Sequence, residues 1–422
     1  MCRFLEIFRL ETKAFVRSKT LAMLVVASVA WVLGFPHLAA GDGTAEGARE
    51  LFVRYSLGGV FILLVIALLA SATGSLARER TAKRLQLTLV RPVRYSVLVL
   101  GKIAAHVFVG AVVLAVACAV LALKADLSVP CNHVLSPVLP TPREEAKAMY
   151  EEYLKDPATP EAVRKAKKEV VLRLLENRAV DRFEVVPTNE VSTWRFAGLE
   201  GAENRNLAVR MRFTNQYEMR QDVRGEFSLV NFRGTVSNIT QAILTIPLQT
   251  SQTSQTSQTS QTLSFFNGGT AALMLRPRKD INVLVGADAF GWNLVRGFVA
   301  LVAILALVVS LGLFLSAGLG RPVALFVAFV TLIVGEMSPS VVAQYPDELE
   351  TDAVDRLGLV ITRFAADVTR PVSAATPLEA LSRNECVERA DVLRLALVDA
   401  GLLPLVIALL AAFVLPRKQE ES

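Results

Sequence analysis

The chain has 422 residues but lacks the short motifs on which many nucleotide-binding enzymes and hydrolases depend. It has no G-x-x-x-x-G-K-[ST], whose backbone amides hold phosphates, and no H-E-x-x-H or G-x-S-x-G. Its three histidines, His37, His106 and His133, are far apart along the chain. We therefore expect no enzyme activity, no metal site and no resident cofactor in this chain.

Charge is missing from several long stretches. The chain is 53% hydrophobic, with a mean hydropathy of +0.44, which is too apolar for an ordinary soluble protein. A membrane-spanning helix needs about 20 mostly apolar residues. Six runs meet this length and predict six transmembrane helices: 20–38, 55–76, 97–123, 292–317, 322–342 and 398–415.

The basic residues lie in the short segments between these runs. Arginines and lysines dominate residues 1–19 and 78–102, Arg321 lies in the turn after the fourth run, and Arg417 and Lys418 follow the last run, whereas residues 343–397 have ten acids and six arginines. Cytoplasmic loops carry the excess of arginine and lysine, so both termini are predicted to be cytoplasmic. No basic stripe with interleaved aromatics is present, and nucleic-acid binding is not expected.

The N-terminal segment, residues 1–19, alternates apolar and charged residues. Phe4, Leu5, Phe8 and Phe15 have charges between them, which predicts an amphipathic helix in the membrane interface. A frayed basic N-terminus is the alternative.

Residues 124–291 interrupt the apolar runs and are long enough for one soluble domain outside the cytoplasm. Residues 142–154 and 159–178 read as helices, and the remainder alternates in short strands typical of an antiparallel sandwich. We expect Trp194, Phe196, Phe213, Phe227 and Phe232 in its core. The Gln/Thr/Ser repeat at 249–262 has nothing to bury and predicts a low-complexity insert.

The predicted fold class is therefore an α-helical polytopic membrane protein with an extracytoplasmic α+β domain of two helices and an antiparallel β-sandwich. Its segments are 1–123 with three spans, 124–291, the hairpin of the fourth and fifth spans at 292–342, an outer helical segment at 343–397, and the last span and cytoplasmic tail at 398–422. Glu336, near the outer end of the fifth run, is interpreted as an interfacial acid rather than an intramembrane one.

Cysteine is scarce, at four residues. Cys131 and Cys386 both fall in segments predicted to lie outside the cytoplasm, where a disulfide can persist. Two free thiols are the alternative. Cys2 and Cys118 are expected to stay reduced.

Residues 78–102, RERTAKRLQLTLVRPVRYSVLVLGK, form a strongly basic loop between the second and third runs. An acid at the end of one span is followed by basic residues, by LxLxLxxPV and by LGK at the next span. This order resembles the cytoplasmic loop of ABC-2-type permeases, the membrane subunits of one class of ATP-driven exporters. The large segment 124–291 is outside the resemblance.

The resemblance implies a permease subunit whose loop docks on a separate ATPase, which would bind ATP and Mg²⁺. It also implies a second permease copy or a homologue, contact with membrane lipid, and the bacterial inner membrane as location. The residues that would couple to the ATPase are Glu79, Arg80, Lys83, Arg84, Leu87, Leu89, Pro92 and Arg94, with Gly101 and Lys102 positioning the third span. A non-transporting anchor that presents a partner-binding outer domain is the alternative function.

Overall fold

The computed structural model describes residues 2–35, 45–81, 94–124, 130–139, 142–155, 168–197, 207–214, 222–229, 232–239, 243–248, 262–275, 280–344, 358, 360 and 377–420. These residues divide into two compact units. One unit, the helical unit, combines Met1–Pro130 with Asp288–Ser422, and the other, the β unit, is Cys131–Ala287.

The helical unit is built from long helices. The helices of its first part are α1 (Cys2–Arg17), α2 (Thr20–Gly34), α3 (Ala45–Thr81) and α4 (Tyr95–Lys124). Those of its second part are α7 (Phe290–Gly318), α8 (Arg321–Gln344), α9 (Pro377–Ser382), α10 (Arg389–Arg394) and α11 (Leu403–Glu420), with a π-helical segment at Leu395–Leu402.

Four helical segments are long and apolar enough to cross a membrane: Gly47–Glu79, Tyr95–Lys124, Phe290–Gly318 and Arg389–Val414. They match the second, third, fourth and sixth apolar runs of the sequence. The last segment begins nine residues before the predicted run 398–415, because α10 and the π-helical segment continue into α11 without a break.

The first and fifth predicted spans are not among these four segments. The helices α1 and α2 meet at a 63° bend, where Lys19 has a left-handed φ of 58°. They make a fifth span only if the bent pair crosses as one unit. In α8 the apolar helix with described side chains, Arg321–Val334, is shorter than a bilayer requires. The structure thus supports four spans, or five with the bent pair.

The core of the helical unit lies among α3, α4, α7 and α11. The helix α7 is apolar around its circumference, so it is buried by neighbours on several sides. Leu64 and Leu68 of α3, Leu114 of α4 and Leu305 of α7 belong to one buried cluster.

The β unit contains two four-stranded sheets. Their strand orders are β1-β10-β4-β7 and β3-β8-β5-β6, and β2 and β9 form a separate pair. The strands are β1 (Pro130–Leu135), β2 (Val185–Val186), β3 (Val191–Arg195), β4 (Leu207–Arg212), β5 (Asp222–Leu229), β6 (Phe232–Ile239), β7 (Ile243–Leu248), β8 (Thr262–Asn267), β9 (Leu273–Met274) and β10 (Ile281–Ala289).

Side chains from both sheets share one core. Met211 of β4 and Val283 of β10 are buried in the same cluster as Phe227 of β5 and Phe265 of β8. The strand pairs β10–β4, β4–β7, β3–β8, β5–β6 and β5–β8 are antiparallel. A β-rich unit with an antiparallel, two-sheet core is therefore present, as the alternating sequence indicates.

Four of the five aromatic residues predicted for this core are buried: Trp194, Phe196, Phe213 and Phe227. The side chain of Phe232 lies outside the described part of the structure. Two helices, α5 (Pro142–Lys155) and α6 (Lys168–Glu184), pack against each other through Ala146 and Leu175. The predicted insert at 249–262 lies outside the described residues except for Thr262, which begins β8.

Candidate functional site

A buried lysine joins three helices at the end of the predicted coupling loop. Lys102, in the second turn of α4, has a side chain only 1% exposed. Its Nζ donates a hydrogen bond of 2.7 Å to Oε1 of Glu79 and one of 2.9 Å to Oγ of Ser75, both in α3. It also forms a close ion pair with Glu11 of α1.

Burial of this lysine is possible because its ammonium group has a full set of partners. An ammonium has three N–H donors, and here they meet two carboxylates and one hydroxyl. Glu11 is 19% exposed and Glu79 29%, so each carboxylate keeps part of its hydration. An unpaired lysine at the same place would carry a large desolvation cost.

The cluster continues one turn along α4 to His106, which is also buried. Its Nδ1 lies 2.8 Å from the carbonyl oxygen of Lys102, and its Nε2 lies 3.3 Å from Oγ of Ser71. An Nδ1–H that donates to the carbonyl leaves Nε2 to accept from the serine, which assigns the tautomer from the network. Phe15 of α1 packs edge-on against the imidazole, with ring centroids 4.8 Å apart.

Gly101 lets α1 approach α4 closely. A Cβ built on Gly101 would lie 2.8 Å from Cγ2 and 3.0 Å from Cβ of Ile7. Real side chains do not make such contacts, so the residue before the lysine must be a glycine for α1 to lie here. Ile7, Glu11 and Phe15 follow one another at four-residue spacing and form the face of α1 that meets α4.

We call this group the Lys102 cluster: Glu11, Phe15, Ser71, Ser75, Glu79, Gly101, Lys102 and His106. The structure brings together three of the residues that the loop sequence predicted, Glu79, Gly101 and Lys102. Arg94 precedes α4, and its carbonyl accepts hydrogen bonds from the amides of Val97 and Leu98.

The remaining predicted coupling residues lie, wholly or with their side chains, outside the described residues. Arg80 lies in α3, with its side chain outside the described residues. Residues 82–93 are not described, and they include Lys83, Arg84, Leu87, Leu89 and Pro92.

Two arginines from separate predicted cytoplasmic segments meet beside the same turn of α3. A Cβ at Gly74 would lie 3.1 Å from Nε of Arg321 and 3.1 Å from Nη2 of Arg78. Arg78 also donates from Nε to the carbonyl of Gly74 at 2.9 Å. The basic turn between α7 and α8 therefore lies at the same end of the helical unit as the end of α3.

Sequence reasoning missed Glu11, Ser75 and His106 as members of the cluster. Glu11 is 91 residues from Lys102 along the chain, and nothing in its local sequence identifies its partner. The one available signal was Lys102 itself, because a lysine inside a long apolar run needs a counter-charge from another segment.

The two cysteines predicted to pair are both buried, Cys131 in β1 and Cys386 after α9. Their sequence neighbours are in contact, since Nδ2 of Asn384 donates to the carbonyl of Pro130 at 2.8 Å. Both sulfurs are disulfide-bonded, whereas Cys118 is a buried free thiol. Pairing of Cys131 with Cys386 is the prediction to be tested.

Thiol counting checks this pairing. In denaturant without reductant, a maleimide polymer is expected to add to Cys2 and Cys118 only. After reduction it should add to all four cysteines, and the variant C131S should expose Cys386 to the reagent without reduction. Four reactive thiols in the unreduced, freshly isolated protein would contradict the pairing.

No protein-family model, curated protein or solved structure matches this chain. What the chain does is therefore inferred from the Lys102 cluster and from the loop between α3 and α4.

Proposed function

We propose that this protein is the permease subunit of an ATP-binding-cassette exporter of the bacterial inner membrane. In this proposal the chain crosses the membrane six times, with both termini in the cytoplasm. A separate ATPase subunit holds ATP and Mg²⁺ and docks on the loop between α3 and α4. A second permease copy or a homologue completes the pathway.

The observation that supports this proposal most directly is the position of Lys102. The loop leaves α3 after Thr81 and enters α4 at Tyr95, and Lys102 in the second turn of α4 forms an ion pair of 2.7 Å with Glu79 in the last turn of α3. The two helices that flank the loop are therefore joined to each other close to its ends. A push on the loop would move α3 and α4 together rather than pulling them apart.

The same lysine extends the connection to α1. This helix has apolar residues on its outer surface, among them Leu5, Leu10 and Val16, which are exposed within the chain and suit contact with lipid. Because Glu11 is ion-paired with Lys102, a displacement of the loop would also move α1, the helix proposed to lie in the membrane interface. We infer that the Lys102 cluster converts loop movement into movement of the spans.

Apolar surface also remains on the outside of α8, the π-helical segment and α11. Phe326 and Phe413 are each 70% exposed within the chain, and Leu397 and Ile333 are exposed as well. Such surface fits lipid or a second permease copy, as a dimeric pathway would need.

The alternative, a membrane anchor that presents a binding domain, draws on a different observation. The β unit has its own buried core, with Phe196, Phe265 and Ile281 fully covered. A domain of this size and packing could act on a partner outside the cytoplasm without any transport. Identifying the protein that binds the cytoplasmic loop distinguishes the two functions.

Purification of the full chain in mild detergent tests the proposal. A stoichiometric partner with G-x-x-x-x-G-K-[ST] is expected, and R84D/L87D should remove it because both changes add negative charge to the docking loop. The matched control is R224D/V191D, one basic and one apolar exposed residue of the β unit, which should keep the partner. Failure of the wild-type chain to bring down such a protein, or its retention by R84D/L87D, would overturn the proposal.

A further inference from the structure

The last span contains a buried carboxyl group. Asp399 lies in the π-helical segment Leu395–Leu402 and is 1% exposed. Within the part of the chain that the structure describes, neither of its side-chain oxygens has a hydrogen-bond partner. An acid inside a membrane segment is costly, and acids in such places generally serve transport or proton transfer.

The helix turn before Asp399 packs against apolar residues. Leu395, one turn earlier, is buried in one cluster with Ala300 and Ala303 of α7. The charged residue that acts on Asp399 electrostatically is Arg394, whose side chain is exposed. Because Asp399 is buried and has no hydrogen bond among the described residues, a full negative charge there would be strongly disfavoured.

The other charged residues of the neighbouring helices are engaged elsewhere or lie at the helix ends. Arg296 of α7 donates to Oδ2 of Asp288 at 2.5 Å, and Arg389 of α10 lies 3.5 Å from the same oxygen. The hydrogen bond from Arg296 holds the pKa of Asp288 below its usual value. Asp391 of α10 lines a cavity at the end of the span.

The helix register explains how an acid comes to face inward. The buried residues of this span are Leu395, Asp399, Pro404, Ala408 and Ala411, and the step from Asp399 to Pro404 is five residues instead of three or four. Pro404 has no N–H and its ring displaces the carbonyl one turn earlier, which favours a wider π turn. Single π turns inside α-helices are frequent at functional sites.

An acidic cavity opens above this segment. It has a volume of about 290 Å³ and is lined by Glu379, Glu385, Glu388 and Asp391, with Arg383 as a basic residue and Leu395 at its inner end. Arg383 is paired with Glu379 at 2.9 Å and with Glu50 at 3.5 Å. Four carboxylates against one guanidinium attract cations to a place one helical turn from Asp399.

The ligand that fits Asp399 is a proton. A metal ion such as Ca²⁺ or Mg²⁺ takes six or more oxygen ligands, as a rule, and an alkali ion also needs several. Asp399 offers two oxygens, and among the described residues no other polar group is hydrogen-bonded to them. A proton needs one oxygen and removes the buried charge.

We propose that Asp399 is a proton-binding site within the membrane, loaded from the acidic cavity at the end of the span predicted to face outward. The carboxylate takes one proton and becomes the neutral acid when the π-helical segment packs against α7. Release of the proton requires the segment to leave that position. This proposal does not depend on an ATPase partner.

Labelling with carbodiimides tests the site in the full-length protein in detergent. Dicyclohexylcarbodiimide is apolar and reacts with protonated carboxyl groups, whereas a water-soluble carbodiimide reaches exposed ones. Peptide mapping is expected to find Asp399 modified by the apolar reagent, with at least about tenfold less modification by the soluble one. Modification by the apolar reagent should fall as the pH is raised.

Two variants make the outcome specific. D399N should lose the modified peptide, and D222N, at an exposed acid of the β unit, should keep it. The cavity residue Glu388 in the wild-type chain should react with the soluble reagent. Absence of the adduct at Asp399 at every pH, or equal modification by both reagents, would overturn the proposal.

Discussion

Replacement of Lys102 by methionine is expected to lower the stability of the protein by about 3–5 kcal/mol. The methionine fills nearly the same volume but leaves the carboxylates of Glu11 and Glu79 facing each other without their cation. Such a pair repels, and neither group can reach water freely. Thermal unfolding of the purified protein in detergent measures the loss.

Replacing both carboxylates together with Lys102 should restore most of the lost stability. In K102M/E11Q/E79Q the buried charges are absent, and removal of a whole buried ion network is often close to neutral. The matched control is K124M, because Lys124 ends the same helix but is exposed. If K102M were as stable as K124M, Lys102 would not hold α1, α3 and α4 together.

The second large effect is expected from Gly101→Leu. Even a Cβ at this position would lie 2.8 Å from Ile7, so a leucine forces α1 away from α4 and takes Glu11 out of reach of Lys102. Overpacking of this kind costs about 1–3 kcal/mol. Trypsin cleavage after Arg9 and Lys13 should become about tenfold faster, which measures release of α1 directly.

Gly320→Leu is the control for this change. Gly320 lies in the turn before α8, and a Cβ there would meet nothing within 4 Å. The variant G320L should be cleaved by trypsin in α1 at the wild-type rate. Equal protection of α1 in G101L and G320L would show that the glycine is not needed for the close approach of the two helices.

The long helices could be predicted from the sequence because each is an uninterrupted apolar run. The predicted spans 97–123 and 292–317 lie inside the observed helices Tyr95–Lys124 and Phe290–Gly318. The bend at Lys19 could not be predicted, since it depends on one left-handed residue between two helical segments. Apolar length alone predicts six spans, of which the described helices support four, or five with the bent pair.

The strands were predictable where alternation continues for several residues, as in β4 and β5. The strand β8 is harder to predict, although Leu263 and Phe265 are buried and Phe266 is exposed. Its first residue belongs to the polar repeat, which conceals the alternation. The strand β1 begins at Pro130, and proline is tolerated as the first residue of a strand.

The candidate sites depend on contacts between distant segments. Glu79, Gly101 and Lys102 could be found because they lie in one loop sequence, but Glu11 and His106 gain their roles only from the packing of α1 on α4. Asp399 is a similar case. Its residue type and position in an apolar run are visible in the sequence, but its burial without a partner follows from the π turn before Pro404.

A photoreactive amino acid at position 87 in living cells tests the docking loop most directly. We expect it to cross-link, on illumination, to a protein that carries G-x-x-x-x-G-K-[ST], and the same probe at the exposed Val191 of the β unit should not form that product. If position 87 gave no cross-link to a nucleotide-binding protein while position 191 captured a partner outside the cytoplasm, transport would be excluded in favour of an anchored binding domain.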